Sequence, residues 1–225
     1  MTRRMPATSR AYARRMPSIR TTSIVVAAPL VLASAGLAHP HGLSRSTSTD
    51  WTELHIALLP VFPLLTLGLL VPLWHRPRAD LAGFATVLAW AAAFVYAAFY
   101  TGLDAVAGIA AGTAVGNAPD SARLGPLKQP LYDMGETLGN IGASALLAAV
   151  VASAVALYPR HGIRVLPGTA VLLVAGWSFI DSHVFWPRGV FTMLGFAMGF
   201  ALLSWATSTR DDHRVSRRQA TAPPK

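Results

Sequence analysis

Five long segments of this chain contain no Lys, Arg, Asp or Glu: Leu54–Trp74, Leu81–Leu103, Leu138–Tyr158, Val165–Ile180 and Gly189–Thr207. A helix needs about 20 apolar residues to cross the hydrocarbon core of a bilayer. Inside that core every backbone polar group has to be satisfied within the protein, which leaves helices or closed barrels. Four of the segments have the full length. The one starting at Val165 reaches it by continuing through Asp181 and His183 to Trp186, before Pro187 and Arg188 stop it. The expected fold class is therefore all-α, a polytopic membrane helix bundle with spans at about 23–38, 54–74, 81–103, 138–158, 165–186 and 189–207.

Composition agrees with this reading. Only 13% of the 225 residues are charged, against roughly 25% in a soluble domain. High hydrophobicity with low charge excludes a disordered chain. The absence of Cys excludes disulfides, thiolate metal sites and cysteine nucleophiles. No phosphate-binding loop, dinucleotide fingerprint or zinc-protease motif occurs, and no soluble segment offers a nucleic-acid-binding fold.

The first apolar stretch, Ser23–Ala38, follows an arginine-rich leader and ends in small residues. That pattern also describes a secretory signal peptide. Cleavage after Ala38 would leave five spans and a new amino terminus at His39. The leader of about 20 residues is long for a signal, so the expectation is a retained first helix.

Basic residues stay on the cytoplasmic side of short loops. Arg3, Arg4, Arg10, Arg14, Arg15, Arg20, Arg76, Arg78, Arg160, Arg164, Arg210, Arg214, Arg217, Arg218 and Lys225 fall on one side of the six-span map. Arg45, Arg123, Lys128 and Arg188 fall on the other. The split of 15 to 4 places both termini in the cytoplasm, with basic tails at 1–22 and 208–225. It also accounts for most of the net charge of +9 without nucleic acid. The excess of 17 Arg over 2 Lys and the richness in Ala suggest a high-GC bacterial genome, hence a bacterial plasma membrane. The implied partners are the lipid bilayer and a membrane partner or a second copy of the chain.

Polar groups within a membrane are costly, so their positions are informative. At about 1.5 Å of rise per residue, His55, Asp104, Glu136, Asp181 and His183 stand at similar heights near the outer interface, on four separate helices. Tyr96, Tyr100 and Asp104 share one helix face, as do Asp133, Glu136 and Asn140. Imidazoles with carboxylates from several helices suit a borderline divalent metal ion such as zinc. The expected metal-ligand set is His55, Asp104, Glu136, Asp181 and His183, with Asp181 as the deepest carboxylate. His39 and His41 could add to it, and a free amino terminus at His39 would suit copper. The same carboxylates also admit plain interfacial or helix-capping roles; Asp133 and Glu136 would then start a helix.

Three functions follow as expectations. One is a membrane protein with an outer-leaflet His/carboxylate site that binds a metal ion or proton for transport or sensing. The second is an accessory subunit without chemistry of its own. The third is a membrane-embedded, metal-dependent hydrolase. Gly108, Gly112 and Gly116, at four-residue spacing, predict that the third helix continues outward, packed closely against a neighbour. Pro60, Pro63 and Pro72 predict an irregular second span inside the bundle.

Overall fold

The computed structural model describes residues 19–208, and both basic tails lie almost wholly outside that range. The described residues are helical with no strand. In chain order they form α1 (Ile19–Ala38), α2 (Ser48–Leu58), α3 (Leu67–Leu70), α4 (Leu81–Leu103), α5 (Ala111–Gly116), α6 (Leu124–His161), α7 (Leu166–Ser182) and α8 (Arg188–Ser208). Five helical stretches among them are long and apolar enough to cross a membrane: Ile19–Ala38, Arg45–Leu70, Leu81–Gly116, Leu124–Ser182 and Arg188–Ser208.

Many large apolar side chains face outward, and much of the interior is alanine beside a few large residues such as Phe62, Phe179 and Phe196. Phe84, Phe94, Val174, Trp177 and Phe191 are exposed, while Ala85, Ala89, Ala92, Ala93, Ala143, Ala149 and Ala152 are buried. This distribution suits a lipid surround, where close backbone packing rather than hydrophobic collapse holds helices together. The most extensive packing is α4 against α6, followed by α7 against α8 and α1 against α8.

The second stretch is broken where its prolines fall. α2 ends at Leu58, a 3₁₀ segment runs Phe62–Thr66, and α3 is a single turn. Phe62, Leu65, Leu69 and Leu73 are fully buried, so the irregular backbone lies inside the bundle. The Tyr96 hydroxyl donates to Phe62 O at the start of the 3₁₀ segment, at 3.0 Å. That bond satisfies the buried phenol and ties α4 to the irregular segment.

Several helix limits differ from the sequence expectation. The second helical stretch begins at Arg45, well before the expected start of its span at 54. There Ser44 and Thr47 form a reciprocal cap. The stretch starting at Leu81 does run on to Gly116, as the glycine spacing predicts, but it passes through a π-helical turn at Asp104–Ala110. α6 starts at Leu124, so Asp133 and Glu136 sit inside a helix rather than capping one. Charged and polar residues in the extensions that start at Arg45 and Leu124 hid their helicity from a reading based on charge-free runs. α7 ends at Ser182, four residues short of Trp186.

Candidate metal centre at one end of the bundle

His55 lies two turns into α2, and the order of the glycines on the facing helix decides how close it comes to that helix. A Cβ at Gly108 would lie 2.2 Å from His55 Cδ2 and 2.4 Å from its Cγ. Only glycine leaves room for this ring. Gly112 plays the same part against Thr52 and Trp51, and Gly116 lies against Ser48. The glycine stripe is thus the bed on which α2 rests.

Asp104 opens the π-helical turn and has no exposed surface. Turns of this kind are rare and occur often at functional sites. Its Oδ1 stands 3.9 Å from His55 Nε2, beyond hydrogen-bond reach. Neither carboxylate oxygen has a hydrogen-bond partner. His183 arrives from the end of α7, with φ of 44°, a left-handed conformation uncommon in residues other than glycine. Holding such a residue there costs on the order of 1–3 kcal/mol, and such costs tend to gather at functional positions.

His55, Asp104 and His183 each offer one ligand atom, and the three atoms all lie within 4.8 Å of one another. The imidazoles are oriented from behind. His55 Nδ1 is 2.7 Å from the Trp51 carbonyl, so Nδ1–H donates there and the Nε2 lone pair faces Asp104. His183 Nδ1 is 2.7 Å from the Tyr100 hydroxyl. When Nδ1–H donates to that oxygen, Nε2 is left as the ligand. Partners of this kind fix the tautomer and ring angle of metal-binding histidines. The two rings are nearly parallel, 6° apart, with centroids separated by 6.4 Å.

His39 stands beside this trio without entering it. Its ring meets His55 edge-on at 5.1 Å and also packs against Trp51 and Phe185. Its Nδ1 donates to Pro40 O at 2.9 Å, while Nε2 is buried without a partner. Burial holds this imidazole below its ordinary pKa, and the bond to Pro40 opposes that only in part.

The five residues expected from the sequence do not all meet. His55, Asp104 and His183 do. Asp181 is exposed, and its Oδ2 lies 3.4 Å from the Arg188 guanidinium. Because α7 ends between Asp181 and His183, the two diverge, and Asp104 rather than Asp181 is the deep carboxylate. Glu136 is exposed on α6. Both outlying carboxylates line a hollow of about 480 Å³ into which His55 and His183 also open. That hollow is mainly apolar, walled by Trp51, Leu103, Tyr132 and Phe185. Lys128 bridges its rim, donating to Leu43 O at 3.0 Å. His41 also lines the hollow, well exposed.

The spacing of Tyr100 from Asp104 placed the two on one helix face, but its bond to His183 had no sequence signal. Nor had the approach of His39, since no periodicity describes the six residues between α1 and the helix that begins at Arg45. No protein-family model, curated protein or solved structure matches this chain.

Proposed function

We propose that this chain is a multi-pass protein of a bacterial plasma membrane that binds a divalent transition-metal ion between His55, Asp104 and His183 in the outer half of the bundle, in a transport or sensing role. The observation that carries the reading is the buried Asp104 carboxylate. It has two oxygens without partners and two oriented imidazoles close by. An ionised carboxylate in an apolar interior needs a compensating charge, and a cation between these three groups supplies it. A proton is the lesser answer, since it leaves the second oxygen bare. Two imidazoles and one carboxylate suit Zn²⁺ and Fe²⁺. Ligand bonds of about 2.0–2.2 Å require the three groups to draw together by roughly 1 Å on binding.

The topology proposed is six spans with both termini in the cytoplasm. Leu124–Ser182 is one apolar stretch of 59 residues, but the chain turns at Gly162, where φ is 62°, and α6 and α7 pack on each other. Counting these as two spans turns five stretches into six. Arg76, Arg78, Arg160 and Arg164 then share one end, opposite the metal site. Arg20, in the first turn of α1, belongs to the same set, and the other basic residues of the tails lie outside the described range.

The hollow supports a second reading, a metal-dependent hydrolase. Three protein ligands leave a coordination position open for water or substrate. A mainly apolar hollow of about 480 Å³ beside His55 and His183 would seat the body of an amphiphile.

Metal analysis of the full chain purified in detergent tests the proposal. About one zinc or iron per chain is expected, lost in Asp104→Asn and His183→Ala and kept in His161→Ala. Absence of metal after purification and after zinc titration would overturn it and favour an accessory subunit.

A further inference from the structure

The end of the bundle opposite the metal centre carries its own hollow, of about 590 Å³, beneath the connections α3–α4 and α6–α7. Arg76 and Arg78 enter it from the first connection and Arg160 from the end of α6. Ion pairs among the described residues join Arg45 to Asp120 and Arg188 to Asp181; none involves these three arginines. Thr207 and Ser208 line the same space, together with Ser204, which is 2% exposed and whose hydroxyl has no hydrogen-bond partner. His75, next to Arg76 in the chain, is held below its ordinary pKa by burial and then by the positive charges of Arg160 and Arg78. The positive field is therefore convergent rather than scattered over the surface.

A second, apolar hollow of about 740 Å³ meets the first at Trp74, His75 and Arg76, which line both. It follows α4 past Trp90, Ala93, Phe94 and Ala97, with Leu70 opposite. Its wall is mainly apolar, and on it the Trp90 indole N–H is buried and has no acceptor.

We propose that these two hollows form a binding site for one anionic phospholipid, with its phosphate among Arg76, Arg78 and Arg160 and an acyl chain along the α4 groove. Guanidinium groups suit phosphate because they donate in a planar fork. The Ser204 hydroxyl adds a donor that nothing in the protein uses. An ester carbonyl of the lipid offers the acceptor that the Trp90 N–H lacks. A zwitterionic lipid carries an ammonium group that the three arginines repel, so headgroup charge is the basis of selection. A free anion would match the first hollow only and would leave the groove unfilled. The site is independent of whether a metal binds at the opposite end.

Native mass spectrometry of the full chain in detergent, titrated in turn with phosphatidylglycerol, phosphatidylcholine and inorganic phosphate, provides the test. One retained phosphatidylglycerol per chain is expected, with at least tenfold preference over phosphatidylcholine and no competition from millimolar phosphate. Arg76→Gln combined with Arg160→Gln should weaken retention by about tenfold or more, at roughly 1 kcal/mol per basic residue near a membrane surface. Arg45→Gln, at the other end, should not change it. Equal retention of the two lipids by the unmodified chain, displacement by phosphate, or an unchanged double variant would each overturn the proposal. The first two outcomes are read on the unmodified chain and need no variant to fold.

Discussion

Replacing Gly108 by Ala puts a methyl group into the bed of His55. The new Cβ would lie 2.2 Å from Cδ2, 2.4 Å from Cγ and 2.8 Å from Cβ of His55, whereas ordinary contacts lie at 3.4–4 Å. The crowded atoms include the root of the side chain, so rotating the ring does not relieve them. α2 and the π-helical turn must separate by roughly 1 Å, as close-packed interiors do when overfilled. The cost to the fold is about 1–3 kcal/mol, offset by up to about 1 kcal/mol because Ala favours helix over Gly. The cost to the site is larger. His55 Nε2 already stands 3.9 Å from Asp104 Oδ1, and metal bonds tolerate only about 0.2 Å of error. Zinc affinity, measured by competition with a chelating dye on the detergent-solubilised chain, should fall by about 100-fold or more, while the melting temperature drops by only a few degrees. Gly125→Ala is the control, since a Cβ there meets nothing within 4 Å; it should change neither. Wild-type zinc affinity in Gly108→Ala would refute the argument that close approach of α2 sets the site.

Tyr100→Phe keeps the ring that packs on Phe179 and His183 but removes the hydroxyl 2.7 Å from His183 Nδ1; zinc affinity should fall about 10–100-fold with the fold intact. Tyr96→Phe removes the hydroxyl bond to the Phe62 carbonyl in the core, so it should destabilise the chain by about 1 kcal/mol in a denaturant or thermal titration without altering metal binding. His39 predicts a pH effect. Its folded-state pKa lies below the usual value, so the unfolded state takes up a proton first as pH falls. Stability contributed by the neutral ring is present above about pH 6.5 and is lost as pH drops below it. Melting temperatures measured from about pH 8 down to about pH 5, on either side of the ordinary imidazole value, should decline less steeply in His39→Gln than in the unmodified chain.

The helical class was legible because a charge-free apolar run of about 20 residues matches the length of a membrane helix and little else. The face shared by Tyr96, Tyr100 and Asp104 was legible too, since helical spacing places residues four apart together, and all three are buried. Asp181 shows where that logic stops. Its distance from the inner end of its span suggested a deep carboxylate, but depth along an axis does not say which side of the helix a residue occupies. Just beyond it the chain leaves the helix at His183, and that break directs the imidazole inward while Asp181 meets Arg188. The broadening of α4 into a π-helical turn at Asp104 has no signature in residue type or spacing. Gly108 stands out in the sequence as part of a stripe, yet only the facing residue, His55, turns that stripe from packing into site geometry.

Whether α1 stays attached to the chain bears directly on the site, and packing argues that it does. One side of the helix is buried: Val25, Ala28, Leu32, Ala33 and Gly36 face the bundle, and α8 is the main partner. Gly36 is the tightest point, where a Cβ would come within 2.2 Å of the Val184 carbonyl and 2.9 Å of Val190. A signal peptide that is removed has no need for so close a fit, whereas a resident helix in lipid relies on it. Val184 directly follows His183, so the same contact steadies the segment that carries a metal ligand. Intact mass of the purified protein should therefore include residues 1–38, and Gly36→Val should lower zinc affinity through Val184 although Gly36 lies in no ligand set. A mass beginning at His39 would refute the retained helix. It would also place a free amine on a residue whose ring already touches His55, and copper, which accepts an amine with imidazoles, would then replace zinc as the ion to titrate.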